Sequence, residues 1–130
     1  MTFGTYPALI ALAVALVPMA AQAQASAAAN ATRGGTLFKQ RCAVCHSLVV
    51  DTATRPGPSL KAISGRKSGA VATFKYSPAL RSANITWDKA KLDQFLASPA
   101  RMVPGTFMMS SVANPKDRGD LVAFLDMLKQ

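Results

Sequence analysis

Apolar residues are spread along this chain in two ways. Between Ala8 and Met19 they form an almost unbroken run of Ala, Leu, Ile and Val. Beyond Thr32 they recur at helical spacing, separated by segments that hold proline and glycine. A first helix starting at Thr32 or Gly34 carries Leu37 and Phe38. A second runs from Trp87 to Ala97, with Leu92, Phe95 and Leu96 at helix spacing and Thr86 as its cap. The last spans Asn114 to Lys129, opens on Pro115 and presents Leu121, Phe124, Leu125 and Leu128 as one stripe. Phe38 is the expected partner of that stripe. Residues 50–59 read as a loop, because Pro56 and Pro58 flank Gly57 and bar regular structure. Residues 65–69 are a second loop, and 74–84 are irregular around Pro78. No alternating strand pattern occurs, so the fold class is all-α.

The first apolar run is too short for a membrane span, which takes about 20 residues, and suits a secretory signal. Ala21-Gln22-Ala23 and Ala23-Gln24-Ala25 both fit the cleavage pattern. No Lys or Arg precedes the run, so an uncleaved N-terminal anchor stands as the alternative. The chain therefore divides into a signal over 1–25, a short mobile arm over 26–32 and one small domain over 33–130. The expected address is periplasmic.

Charge narrows the partners. All 15 basic residues lie at Arg33 or later, against six acids, for a net charge of +9. Export and the absence of any basic run argue against nucleic acid. An acidic protein face is the expected complement, with weak contact to an anionic membrane surface as a lesser one.

The candidate chemistry is concentrated in Cys42-Ala43-Val44-Cys45-His46, which holds both cysteines and the only histidine. On a helix, positions 42 and 45 share a face, so two thiols can reach the two vinyl groups of one porphyrin. His46 can then turn its imidazole under the same ring and bind the iron. This is the attachment pattern of a c-type haem. A redox dithiol expects a βαβ setting, which the chain lacks, and a zinc site finds no further Cys or His and no glutamate. The second axial ligand must then come from Met102, Met108, Met109 or Met127. Met127 lies on the apolar side of the last helix and reads as core, as Met102 can. Met108 and Met109 follow Pro104-Gly105-Thr106, an extended loop able to lay a thioether against iron.

Several short motifs share one register: Gly34 to Phe38, Cys42 to His46, Gly57-Pro58-Ser59-Leu60, Gly65 to Gly69, Ile85-Thr86-Trp87, Val103 to Met108 and Asp120 to Leu125. With them the chain from Arg33 to Lys129 resembles a class I c-type cytochrome of the mitochondrial cytochrome c and bacterial cytochrome c2 type. The resemblance implies a small cytochrome c fold of about four to five helices and long loops around one covalent haem c with its iron. It implies His46 and Met108 as axial ligands, with Met109 the weaker candidate. Pro58 would accept the free N–H of His46, and Arg66, Tyr76 and Trp87 would bond buried propionates, with Thr106 near the other propionate. Trp87 and Phe124 read equally well as plain core. Gly34 and Phe38 would meet the last helix at Leu121 and Phe124.

The chain departs from the family at four places. Phe95 stands where a tyrosine bonds the methionine sulfur, and Leu80 where an asparagine joins an internal water network. Phe107 replaces a docking lysine, and Ser110 the phenylalanine that shields the haem edge. The expected function is a monomeric one-electron carrier, not an enzyme. Its expected partners are a quinol-oxidising complex, a terminal oxidase or reductase, or a dehydrogenase. The alternatives are a haem enzyme or gas sensor with a labile sixth ligand, and a dedicated electron-transfer subunit.

Overall fold

The computed structural model describes residues 1, 19–49 and 55–129. Most of the expected signal, 2–18, lies outside the described residues, as do 50–54 of the first loop and Gln130. Five helices lie in order among the described residues: α1 Met19–Arg41, α2 Pro78–Ser82, α3 Lys89–Ala97, α4 Pro99–Met102 and α5 Pro115–Met127. The only strand-like pairing among the described residues is an isolated antiparallel bridge between Lys67 and Thr86. No helix among them is long and apolar enough to cross a membrane.

α1 begins well before the expected Thr32 or Gly34 and includes 26–32, the segment expected as a mobile arm. Alanine, the best helix former, supplies much of that stretch, and Ala31 is buried to 1% exposure. α2 and α4 are single turns that the hydrophobic pattern did not announce. Each opens on a proline at its first turn, and Ser77 caps α2 by accepting from the Leu80 N–H. α3 is capped by Asp88 rather than Thr86: its Oδ1 accepts from Lys91 N at 2.7 Å, while Thr86 is drawn into the bridge. α5 starts as expected, with Asn114 Oδ1 accepting from the amides of Lys116 and Asp117.

The core forms where α1 meets α5 and α3 packs against α5 and α4. Leu37, Phe38, Leu92, Phe95, Leu96, Leu121, Val122 and Leu125 are buried in one cluster, with Leu121 at 1% exposure. Truncating Leu121 to alanine would cost about 2–5 kcal/mol, the usual range for a filled core site. The predicted contact of the α5 stripe is present, with the Phe38 and Phe124 rings 5.7 Å apart. Met127 departs from expectation: it is 57% exposed, because it sits past the buried side of α5. Ion pairs tie the frame together. Arg33 on α1 reaches Asp117 and Asp120 on α5, and Lys89 at the start of α3 reaches Asp126 at the end of α5. Arg118 near the start of α5 pairs with Asp93 within α3, so these two helices run in opposite directions.

Candidate functional site

α1 ends directly on the cysteine motif. The amides of Cys42 and Ala43 both bond Phe38 O, at 2.8 and 2.9 Å, which closes the helix. Cys45 N and His46 N then bond Cys42 O at 3.0 and 2.8 Å, winding 42–46 into a tight turn. Both thiols are half-buried and free of any disulfide. Burial pushes the Cys42 thiol above its ordinary pKa. Among the described residues no three His, Cys, Asp or Glu side chains gather around one point as a metal cage.

The loop beyond the motif folds back over it. Gly57 N bonds Cys45 O at 2.9 Å, Leu60 N bonds Ser47 O at 2.9 Å, and Ser59 Oγ donates to Val49 O at 2.6 Å. Arg55 adds a guanidinium bond to Ala43 O. This return brings Pro58 O within 2.8 Å of His46 Nδ1. A carbonyl can only accept, so Nδ1 carries the proton and Nε2 keeps its lone pair. The expected Pro58–His46 contact is therefore present. The sequence reading saw Gly57 only as a turn, but the structure gives it a second duty. A β-carbon there would stand 2.5 Å from His46 Cε1, so only glycine lets the imidazole lie against the backbone.

The other expected residues fall into three groups. Arg66 and Trp87 sit on facing segments, with Trp87 N bonded to Arg66 O at 2.9 Å and Gly65 N to Trp87 O at 2.6 Å. The Arg66 guanidinium donates to Ser59 O at 2.6 Å and Lys61 O at 2.9 Å, tying this pair to the loop over His46. Trp87 is buried and packs edge-on against Phe95, centroids 5.1 Å apart. Tyr76 is buried against Phe74, and its hydroxyl accepts from Val71 N at 3.4 Å. Thr106 is buried in the methionine loop, where its Oγ1 accepts from Met108 N at 3.3 Å.

The four methionines are placed differently. Met108 and Met102 are half-buried and pack against the core cluster, whereas Met109 is 80% exposed and Met127 is on the surface. Gly105, at φ +90°, supplies the left-handed turn that leads into Thr106 and Met108.

The geometry thus combines two thiols three positions apart, an imidazole held through Nδ1 by Pro58 O, and two half-buried thioethers, Met102 and Met108, packed against the core. The cytochrome c family model matches residues 31–129. The chain belongs to the cytochrome c family. It is 40% identical over 98 residues to cytochrome c of Cochliobolus lunatus, covering 75% of this chain and 91% of that protein. It is 39% identical over 104 residues to cytochrome c2 of Rhodomicrobium vannielii, covering 79% and 82%. Among solved structures, cytochrome cH from Methylobacterium extorquens superposes with a TM-score of 0.67 at 35% identity, over 75% of this chain and 97% of that one. As a family member the protein carries one covalent haem c with its iron and transfers electrons rather than catalysing a substrate reaction. The thiols and the locked imidazole fit that cofactor.

Proposed function

We propose that this protein is a periplasmic one-electron carrier whose haem c is bonded to Cys42 and Cys45 and ligated axially by His46 and Met108. The haem supplies a single ferric/ferrous couple. The hydrogen bond from His46 Nδ1 to Pro58 O carries the reading, since it presents Nε2 as a ligand and raises its basicity. Burial separates the two loop methionines: Met108 packs inward and Met109 faces solvent. The backbone bond of Met108 to Thr106 Oγ1 holds the thioether-bearing residue in one place. Arg66, Tyr76, Trp87 and Thr106 would line the haem and meet its propionates.

Residues 1–25 would act as a secretory signal cleaved near 23–25, leaving the domain that starts at Arg33 with a remnant of α1 ahead of it. Acidic faces on an electron donor and an acceptor, such as a quinol-oxidising complex, a terminal oxidase or reductase or a dehydrogenase, would meet the basic surface.

The test is the visible spectrum of the haem-loaded protein in both redox states. A ferric thioether-to-iron charge-transfer band that Met108→Ala removes and Met109→Ala leaves supports the ligand set. A high-spin ferric form whose ferrous state binds carbon monoxide readily overturns it and favours an enzyme or gas sensor. Mass spectrometry of exported protein reads the cleavage site.

A further inference from the structure

Between α2, α3 and the turn that follows α4 lies a cavity of about 450 Å³. Small-molecule sites occupy roughly 300–1,000 Å³. Its apolar lining is Ala79, Ala83, Ile85, Met102, Val103 and Pro104. Ala79, Ala83, Ile85 and Met102 are half-buried and pack against the core cluster, so the floor of the cavity is the outer layer of the core. None of these residues belongs to the haem-holding set proposed above.

The polar part of the lining carries one sign of charge. It consists of Lys91 and the exposed Ser82. Lys91 is half-buried, yet the ion pairs among the described residues use Lys89, Lys116 and Lys129 and leave Lys91 out. Residues 78–85 and 99–107 contain no acid and add Arg81 and Arg101. α3 brings Asp88, whose carboxylate caps the helix by accepting from Lys91 N, and Asp93, which is paired with Arg118. A cation drawn out of water without a counter-ion is costly, and an anion entering beside it offsets that cost. The apolar walls then suit a body without polar groups behind the anion.

We infer that this cavity binds a small amphiphilic monocarboxylate. The carboxylate accepts from Lys91 Nζ and the Ser82 hydroxyl, and the hydrocarbon chain lies on Ala79, Ala83, Ile85 and Met102. No covalent bond is made or broken. The wall of the cavity touches the turn that leads into Met108. Val103 O accepts from Thr106 N at 3.0 Å, and a β-carbon on Gly105 would stand 3.2 Å from Ala79 Cβ.

The probe is decanoate, added below its micellar concentration to the full haem-loaded protein. Calorimetry reads the affinity, and NMR reads the methyl groups of Ala79, Ala83, Ile85 and Met102. Decanoate is expected to bind once per chain and to shift those methyls first. Decyltrimethylammonium, the same chain with a cationic head, and acetate, the head alone, are expected not to bind. Lys91→Gln should weaken decanoate binding about fivefold or more, because a charged hydrogen-bond partner is lost. Lys39→Gln makes the same charge change at the separate groove between α1 and α5, and should alter the affinity less than about twofold. Ala83→Leu, which fills the cavity at constant charge, should weaken binding as Lys91→Gln does. No binding of decanoate, equal binding of both decyl heads, equal losses in Lys91→Gln and Lys39→Gln, or shifts confined to other methyls overturn the site. Binding to phosphatidylglycerol vesicles through Lys91, with none of free decanoate, also overturns it and makes the occupant a lipid surface.

Discussion

Gly34 of α1 lies directly against Asp120 of α5: a β-carbon on Gly34 would fall 2.0 Å from the Asp120 carbonyl oxygen and 2.7 Å from Phe124 Cβ. Backbone cannot yield as a flexible side chain can, so the helices would have to separate. Separation would loosen the Phe38–Phe124 ring contact and draw Arg33 from its two carboxylates. Gly34→Ala is therefore expected to destabilise the folded protein by about 2–3 kcal/mol, the cost of overpacking a tight contact. Gly119→Ala is the control. Its β-carbon would meet nothing within 4 Å, and chemical denaturation should show no comparable loss.

Acid should unravel the end of α5. Lys129 bonds the Asp126 carboxyl, burial opposes ionisation, and Ser64 and Lys89 add further support, so its pKa falls to about 2. An unfolded aspartate titrates near 3.9. The folded state thus holds the proton less tightly than the unfolded state does. The stabilisation is complete above the unfolded value and disappears as the pH falls from about 4 to about 2. Asp126→Asn should be less stable than the parent at neutral pH, and the difference should close across that window. Denaturation midpoints measured from pH 6 to pH 2 check it; a gap that stays constant contradicts the assignment.

Periodicity made the long packed elements legible. Leu92, Phe95 and Leu96 placed α3, and Leu121, Phe124 and Leu125 placed α5, because a buried helix face repeats visibly in one dimension. The motif at 42–46 and the register of short motifs named the candidate site. The rest depended on contacts distant in sequence. α2 and α4 are single turns, too short to show a period. Nothing local in Thr86 and Asp88 told which would cap α3 until Thr86 was seen paired with Lys67. The role of Gly57 against His46 arises from a loop folding back across the motif. Met127 carried the right residue type on the right helix, yet only the packing of α1 against α5 decides which positions are covered.

Gly57→Ala tests the support of the imidazole. The new methyl group would strike the ring at Cε1 and at the neighbouring Nδ1, the nitrogen that bonds Pro58 O at 2.8 Å. The ring must rotate, and the bond to the carbonyl is lost. Loss of such a partner costs about 1–3 kcal/mol where the donor is left buried. The variant is expected to attach haem with lower yield and to show a shifted midpoint potential, because His46, the proposed axial ligand, loses its orienting acceptor. Potentiometry on the purified variant checks it. A potential and yield equal to those of the parent would show that the loop relaxes without disturbing His46.

Arg118 clamps the far end of the methionine loop. Its side chain is 14% exposed, its Nε donates to Asp93 at 2.9 Å, and its Nη1 donates to Val112 O at 3.1 Å and Ala113 O at 2.9 Å. The loop is fixed at the same place by Val112 N on Leu96 O at 2.8 Å, so one guanidinium joins α3, α5 and the segment leading from Met108. Arg118→Ala strands two carbonyls and a carboxylate, and a loss of about 1–3 kcal/mol is expected. Lysine cannot reproduce a planar fork that serves several acceptors, so Arg118→Lys should recover little of it. A local loosening of about 1 kcal/mol corresponds to a factor of about five in an opening equilibrium. Added imidazole, which competes for the sixth position, should then bind the ferric variant about fivefold more tightly than the parent. Unchanged imidazole affinity alongside lower global stability would confine the role of Arg118 to holding α5 on α3.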